Sequence, residues 1–123
     1  MRTASKAVKA AASAIAIASV LSLAPLTAAV AGATVIEQGK KIAFDRKKGN
    51  CLACHAIANG ELPGNIAPPL VAMKARFPDK AKLRAQIFDA AAANPHTMMP
   101  RFGPYEIISG EEIDKILEFI YSL

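Results

Sequence analysis

At 123 residues, with a formal charge of +5 and no tryptophan, the chain has room for one small domain and no second one. Three of its cations, Arg2, Lys6 and Lys9, sit at the extreme N-terminus, so the rest carries only +2 and nothing in it asks for nucleic acid. The only two cysteines, Cys51 and Cys54, are three positions apart, and a disulfide between them would close a ring too small to staple a fold.

The basic start leads into an Ala-rich apolar run, residues 10–23, then Pro25 and a string of small residues. That is the layout of a secretory signal peptide, with Ala29-Val30-Ala31 as a small-x-small cleavage site. An uncleaved anchor is the weaker reading, because a spanning helix needs ~20 predominantly apolar residues and this run is rich in Ala with a Pro near its end. The expected organisation is therefore a signal peptide over residues 1–31 and one domain over residues 32–123. A domain this small often needs a disulfide, a metal or a partner to be stable, and a cofactor at the centre of its core would meet that need.

Residues 34–48 read as an amphipathic helix with Val35, Ile36, Gly39, Ile42 and Ala43 on one face. Gly39 lies inside the apolar stripe, where glycine costs about 1 kcal/mol relative to Ala; a second helix is expected to cross there. Gly49-Asn50 stops the helix. Turn formers follow: Asn59-Gly60, Pro63-Gly64-Asn65 and Pro68-Pro69. Asp79 is a candidate N-cap for a helix over residues 80–93, ended by Asn94-Pro95. After a second loop, residues 96–108, Ser109 and Glu112 form a capping box ahead of the stripe Ile113, Ile116, Leu117 and Ile120. With no strand-like alternation, the expected fold is all-α.

Cys51-Leu52-Ala53-Cys54-His55 is the attachment pattern of c-type haem. Two thiols at this spacing meet the two vinyl groups, and the adjacent histidine is placed to ligate the iron. A thioredoxin-type pair would want a βαβ setting, and a structural zinc would want four ligands; neither is offered. Candidates for the second axial ligand are Met73, His96, Met98 and Met99. Methionine is more often core filler than ligand. Met99, stiffened by Pro100, is the expected ligand; Met98 would point away, and His96 would give a bis-histidine iron of lower potential. The histidine's other ring N–H needs an acceptor, which a loop carbonyl after the motif can supply.

The order of glycine-bearing helix, Cys-x-x-Cys-His, Pro-rich loop, Met-Pro loop and C-terminal helix resembles the class I cytochromes c. The resemblance implies that the N- and C-terminal helices cross at Gly39 and Phe119, and that the Pro68 carbonyl accepts from His55. It also implies that Met99 is the axial ligand. Phe44 departs from the pattern, five rather than four residues after Gly39. A narrower match runs through Ile42-Ala43-Phe44-Asp45-Arg46, Lys48-Gly49-Asn50-Cys51-Leu52-Ala53-Cys54-His55, Ala67-Pro68-Pro69-Leu70, Asn94-Pro95 and Met99-Pro100-Arg101-Phe102-Gly103. These stretches resemble the SoxX family, monohaem subunits of the sulfur-oxidising SoxAX complex.

That resemblance implies a periplasmic heterodimer with a SoxA-like dihaem or monohaem subunit, serving a SoxYZ-like carrier and passing electrons to a small acceptor cytochrome. The chain would be the non-catalytic, electron-accepting subunit of an L-cysteine S-thiosulfotransferase; the absence of a third cysteine agrees with that role. The alternative is a freestanding electron shuttle. A haem peroxidase would need an open iron position, which Met99 argues against. The basic trio Lys80, Lys82 and Arg84 reads as a free, solvated face, with a docking patch for an acidic partner as the alternative, and the loop around Met98, Phe102, Pro104 and Tyr105 is the candidate exposed apolar surface.

Overall fold

The computed structural model describes residues 26–123. Residues 1–25 of the expected signal peptide lie outside the described residues, and residues 26–31 fall in the first helix. Five α-helices follow in order: α1, Leu26–Phe44; α2, Met73–Arg76; α3, Lys80–Phe88; α4, Ala90–Ala93; and α5, Gly110–Tyr121. Among the described residues there is no strand, only an isolated parallel bridge between Ile57 and Leu70. The all-α expectation is borne out.

The two terminal helices cross at Gly39. A Cβ on that residue would lie 1.9 Å from the Lys115 carbonyl oxygen and 3.0 Å from the Phe119 Cβ, so only glycine lets the backbones approach this closely. Phe44, roughly 140° around the helix from Gly39, still reaches the crossing. It is the last helical residue, and its ring meets Phe119 edge-on at 5.7 Å and 83°. The expected apolar stripe of α5, Ile113, Ile116, Leu117 and Ile120, is buried together with Phe119. Each such side chain contributes about 1.5–3 kcal/mol when fully buried.

Helix ends follow local chemistry. Ser109 Oγ accepts from the Glu112 N–H at 3.2 Å while Glu112 Oε2 accepts from the Ser109 N–H at 3.0 Å, completing the capping box. Asp79 caps α3 through the Ala81 N–H. Three predicted boundaries were wrong, the first being the start of α1, which lies at Leu26 rather than at residue 34. α1 ends at Phe44 rather than at residue 48, because the Asp45 carboxylate takes the Lys47 N–H and folds residues 45–49 into a turn. The predicted helix over residues 80–93 is broken at Asp89, which turns out of α3 and caps α4 through the Ala91 N–H.

The basic trio does not form the free patch expected of it. Lys80 pairs with Glu118 at 2.5 Å and Arg84 with Asp114 at 2.6 Å. Two cations four residues apart on α3 match two carboxylates four residues apart on α5, so the charges tie helix to helix and Lys82 alone is left. Lys48 likewise pairs with Glu112, joining the turn after α1 to the start of α5.

Gly39→Ala tests the crossing. Ala would gain about 1 kcal/mol of helix propensity, but the obstacle is a backbone carbonyl that no rotamer change can clear. A net loss of about 2 kcal/mol in unfolding free energy is expected by urea titration.

The Lys48 ammonium and the Ser109 N–H hold the Glu112 carboxyl below the usual carboxylate range. Its contribution to stability is complete above the unfolded value of about 4.3 and is lost as pH falls through the lower folded value. Melting temperature should therefore fall more steeply with acidification in the native chain than in Glu112→Gln. Parallel curves would show that this pair adds nothing.

Candidate haem-attachment site

Asn50, in the left-handed region at φ 46°, ends the turn after α1 and starts a 3-10 turn over Cys51–Ala53. The Ala53 N–H reaches the Asn50 carbonyl at 3.0 Å and the His55 N–H reaches the Cys51 carbonyl at 2.9 Å. Short backbone bonds thus wind the whole Cys-x-x-Cys-His segment into one tight coil. Both cysteines are free thiols. Cys51 packs against the core, and burial pushes its thiol up to about 11, so it is held neutral in apolar surroundings.

The following loop folds back over this coil. The Gly64 N–H donates to the Leu52 carbonyl at 2.7 Å, and a Cβ at Gly64 would lie 2.1 Å from the Ala53 carbonyl oxygen. Further along, the Ala67 N–H donates to Cys54 at 3.0 Å and the Leu70 N–H to Ala56 at 2.9 Å. Pro68 and Pro69 lie between these two bonds and have no N–H to leave unpaired.

The register sets the Pro68 carbonyl oxygen 2.7 Å from His55 Nδ1. A carbonyl only accepts, so Nδ1 carries the proton and Nε2 carries the lone pair. The neighbouring Pro69 carbonyl accepts from Arg76 Nη1 at 2.7 Å, fixing the diproline from its other side.

The four candidate distal ligands fall in different environments. Met73 is buried in the core, its sulfur 3.5 Å from Arg76 Nη1. His96 is exposed, with its backbone N–H on Asn94 Oδ1, and Met98 is 84% exposed. Met99 is half-buried and packs against the core, its backbone N–H held by Thr97 Oγ1 at 3.2 Å.

Phe102 is corrected: expected on the exposed loop surface, it is buried in the core, while Met98 and Tyr105 stay exposed. The side chain anchors the loop instead of facing outward. Arg76, Gly64 and the pair Asp89–Arg101 were missed in the sequence. Gly64 carries a signal in Pro63-Gly64-Asn65, but the arginines act on partners that only the fold brings near.

These residues fit haem c. The chain offers two cysteines in no disulfide at the attachment spacing and an imidazole whose Nδ1 is committed to a carbonyl, which leaves Nε2 available to ligate.

Residues 34–120 match the family described as cytochrome C oxidase, cbb3-type, subunit III, a cytochrome c domain whose membership implies haem c. No curated protein matches. The crystal structure of SoxXA from P. pantotrophus is similar, with a TM-score of 0.63 and 28% identity, covering 70% of this chain and 79% of that one. The resemblance to SoxX-like cytochromes and the class I cytochrome c fold is thereby borne out. Among the described residues no helix is long and apolar enough to cross a membrane. The chain belongs to the cytochrome c family matched over residues 34–120, and it is an electron-transfer cytochrome.

Proposed function

We propose that this chain is the electron-accepting subunit of a SoxAX-type L-cysteine S-thiosulfotransferase, exported to the periplasm on a signal peptide comprising residues 1–31. The observation that carries the reading is the likeness to SoxXA, whose name is that of a two-subunit assembly. Its partner would be a SoxA-like dihaem or monohaem cytochrome, acting on a cysteine of a SoxYZ-like carrier. Joining thiosulfate sulfur to a thiol forms one S–S bond and releases one proton and two electrons, so an electron acceptor is obligatory. A small acceptor cytochrome would receive those electrons in turn.

The chain's own residues have defined tasks in this reading. Cys51 and Cys54 would hold the haem through thioether bonds, and His55 Nε2 would ligate the iron while Pro68 fixes the ring through Nδ1. Met99 would supply the second protein ligand. When bound, the haem supplies a one-electron iron couple, and His/Met ligation raises its potential.

Native purification of the tagged protein from a thiosulfate-grown host tests the assembly. Co-elution with a second haem protein is expected; a clean monomer would point to a freestanding electron shuttle instead. For the ligand, Met99→Ala should abolish the far-red Met–iron absorption band and lower the reduction potential. Survival of the band would transfer the ligand role elsewhere.

A further inference from the structure

Met99 sits in a stretch, residues 94–109, with no helix or strand of its own. Turn bonds within it shape its own backbone, among them Thr97 N–H to the Asn94 carbonyl and Ile107 N–H to the Phe102 carbonyl, but its place on the rest of the fold is set by contacts to other elements. The strongest tie is Arg101, whose Nε and Nη2 donate to the two carboxylate oxygens of Asp89 at 2.9 and 2.7 Å. Fork-to-fork pairs of this kind are shorter, stronger and more direction-specific than single-point ion pairs. The other ion pairs among the described residues join one donor atom to one oxygen, and none of them involves residues 94–109.

Neighbouring contacts point the same way. Asp89 occupies the break between α3 and α4, and its Oδ1 also takes the Ala91 N–H at 3.1 Å. The carboxylate is therefore oriented by its own helix before it meets the arginine. Next to it, the Phe88 carbonyl accepts from the Gly103 N–H at 2.9 Å. A Cβ on Gly103 would meet the Phe88 ring at 2.1 Å, so the loop backbone lies directly on that ring. On the loop side, Arg101 lies over the Tyr105 ring at 5.6 Å, and Phe102 is buried. Residues 88 and 89 thus grip residues 101 and 103 through a carboxylate, a carbonyl and a ring, just beyond Met99-Pro100.

We propose that Asp89 and Arg101 are positioning residues for the Met99 thioether, a latch from the α3–α4 break that sets how readily the methionine leaves its ligand position. The inference rests on the reading of Met99 as axial ligand. The simpler alternative is that Asp89 merely caps α4. Asp89→Asn separates the two, because an Asn oxygen can still accept from Ala91 while the charged bidentate pair is lost. Arg101→Lys does so from the other side, keeping the charge but not the fork.

The test is stopped-flow binding of exogenous imidazole to the ferric haem-loaded protein, read at saturating imidazole, where departure of the methionine limits the rate. Losing a charge-assisted pair should raise that limiting rate by about tenfold in both variants. Arg101→Gln should exceed Arg101→Lys. Asp114→Asn, which breaks the single-point Arg84 pair away from this loop, should leave the rate unchanged. Unchanged rates in both Asp89→Asn and Arg101→Lys would overturn the latch while leaving Met99 as ligand. Equal acceleration in Asp114→Asn would also overturn it, by exposing general loosening. Absence of the far-red band from the native protein would sink the ligand reading and the latch together.

Discussion

The close approach of two helix backbones at Gly39 governs where every later residue of the attachment segment can lie. With no side chain at that position, α1 is seated against the Lys115 carbonyl, and its C-terminal end is fixed relative to α5. From there the chain has little freedom. The Gly49 N–H returns to the Ile42 carbonyl, Lys48 reaches Glu112, and Asn50 turns left-handed to begin the coil carrying Cys51, Cys54 and His55. An apolar crossing far from the histidine thus determines the direction in which the cysteines are presented.

The histidine is then fixed by a second, independent device. Paired backbone bonds from Ala67 and Leu70 bracket two residues that have no N–H, and the Pro68 carbonyl between them accepts from the imidazole. Neither proline brings an N–H that could compete with the flanking bonds for the register. Arg76 completes the arrangement from a short helix whose other role is to bury Met73. The His55 side is therefore rigid by register, whereas the proposed Met99 side would depend on an ion pair spanning a helix break.

What could be read in the sequence was what depends on near neighbours. The capping box at Ser109 and Glu112 and the Cys-x-x-Cys-His spacing each encode their geometry within a few residues. Gly39 was legible because a glycine inside an apolar stripe weakens its own helix, a loss that a close backbone approach offsets. Most failures involve partners distant in sequence, although the early end of α1 comes from the local contact between Asp45 and Lys47. Residues 80–93 carry a good helix pattern, and only Arg101, twelve residues beyond Asp89, shows why the helix breaks. Lys80 and Arg84 read as a free basic surface because Asp114 and Glu118 become their neighbours only once α3 lies along α5. Phe102 looked exposed for the same reason: nothing beside it in the chain reveals that the core is what it meets.

The helix crossing also has a kinetic meaning. It joins Gly39 to Lys115 and Phe119, close to opposite ends of the described chain. A contact between such distant residues forms only after the whole intervening loop has been closed, which costs entropy that no local element offsets in advance. The residues that lock the first helix in place, Lys115 and Phe119, therefore follow the cysteine coil in the chain. Until they arrive, the cysteine coil stands on an unanchored helix, open to whatever machinery must reach its thiols.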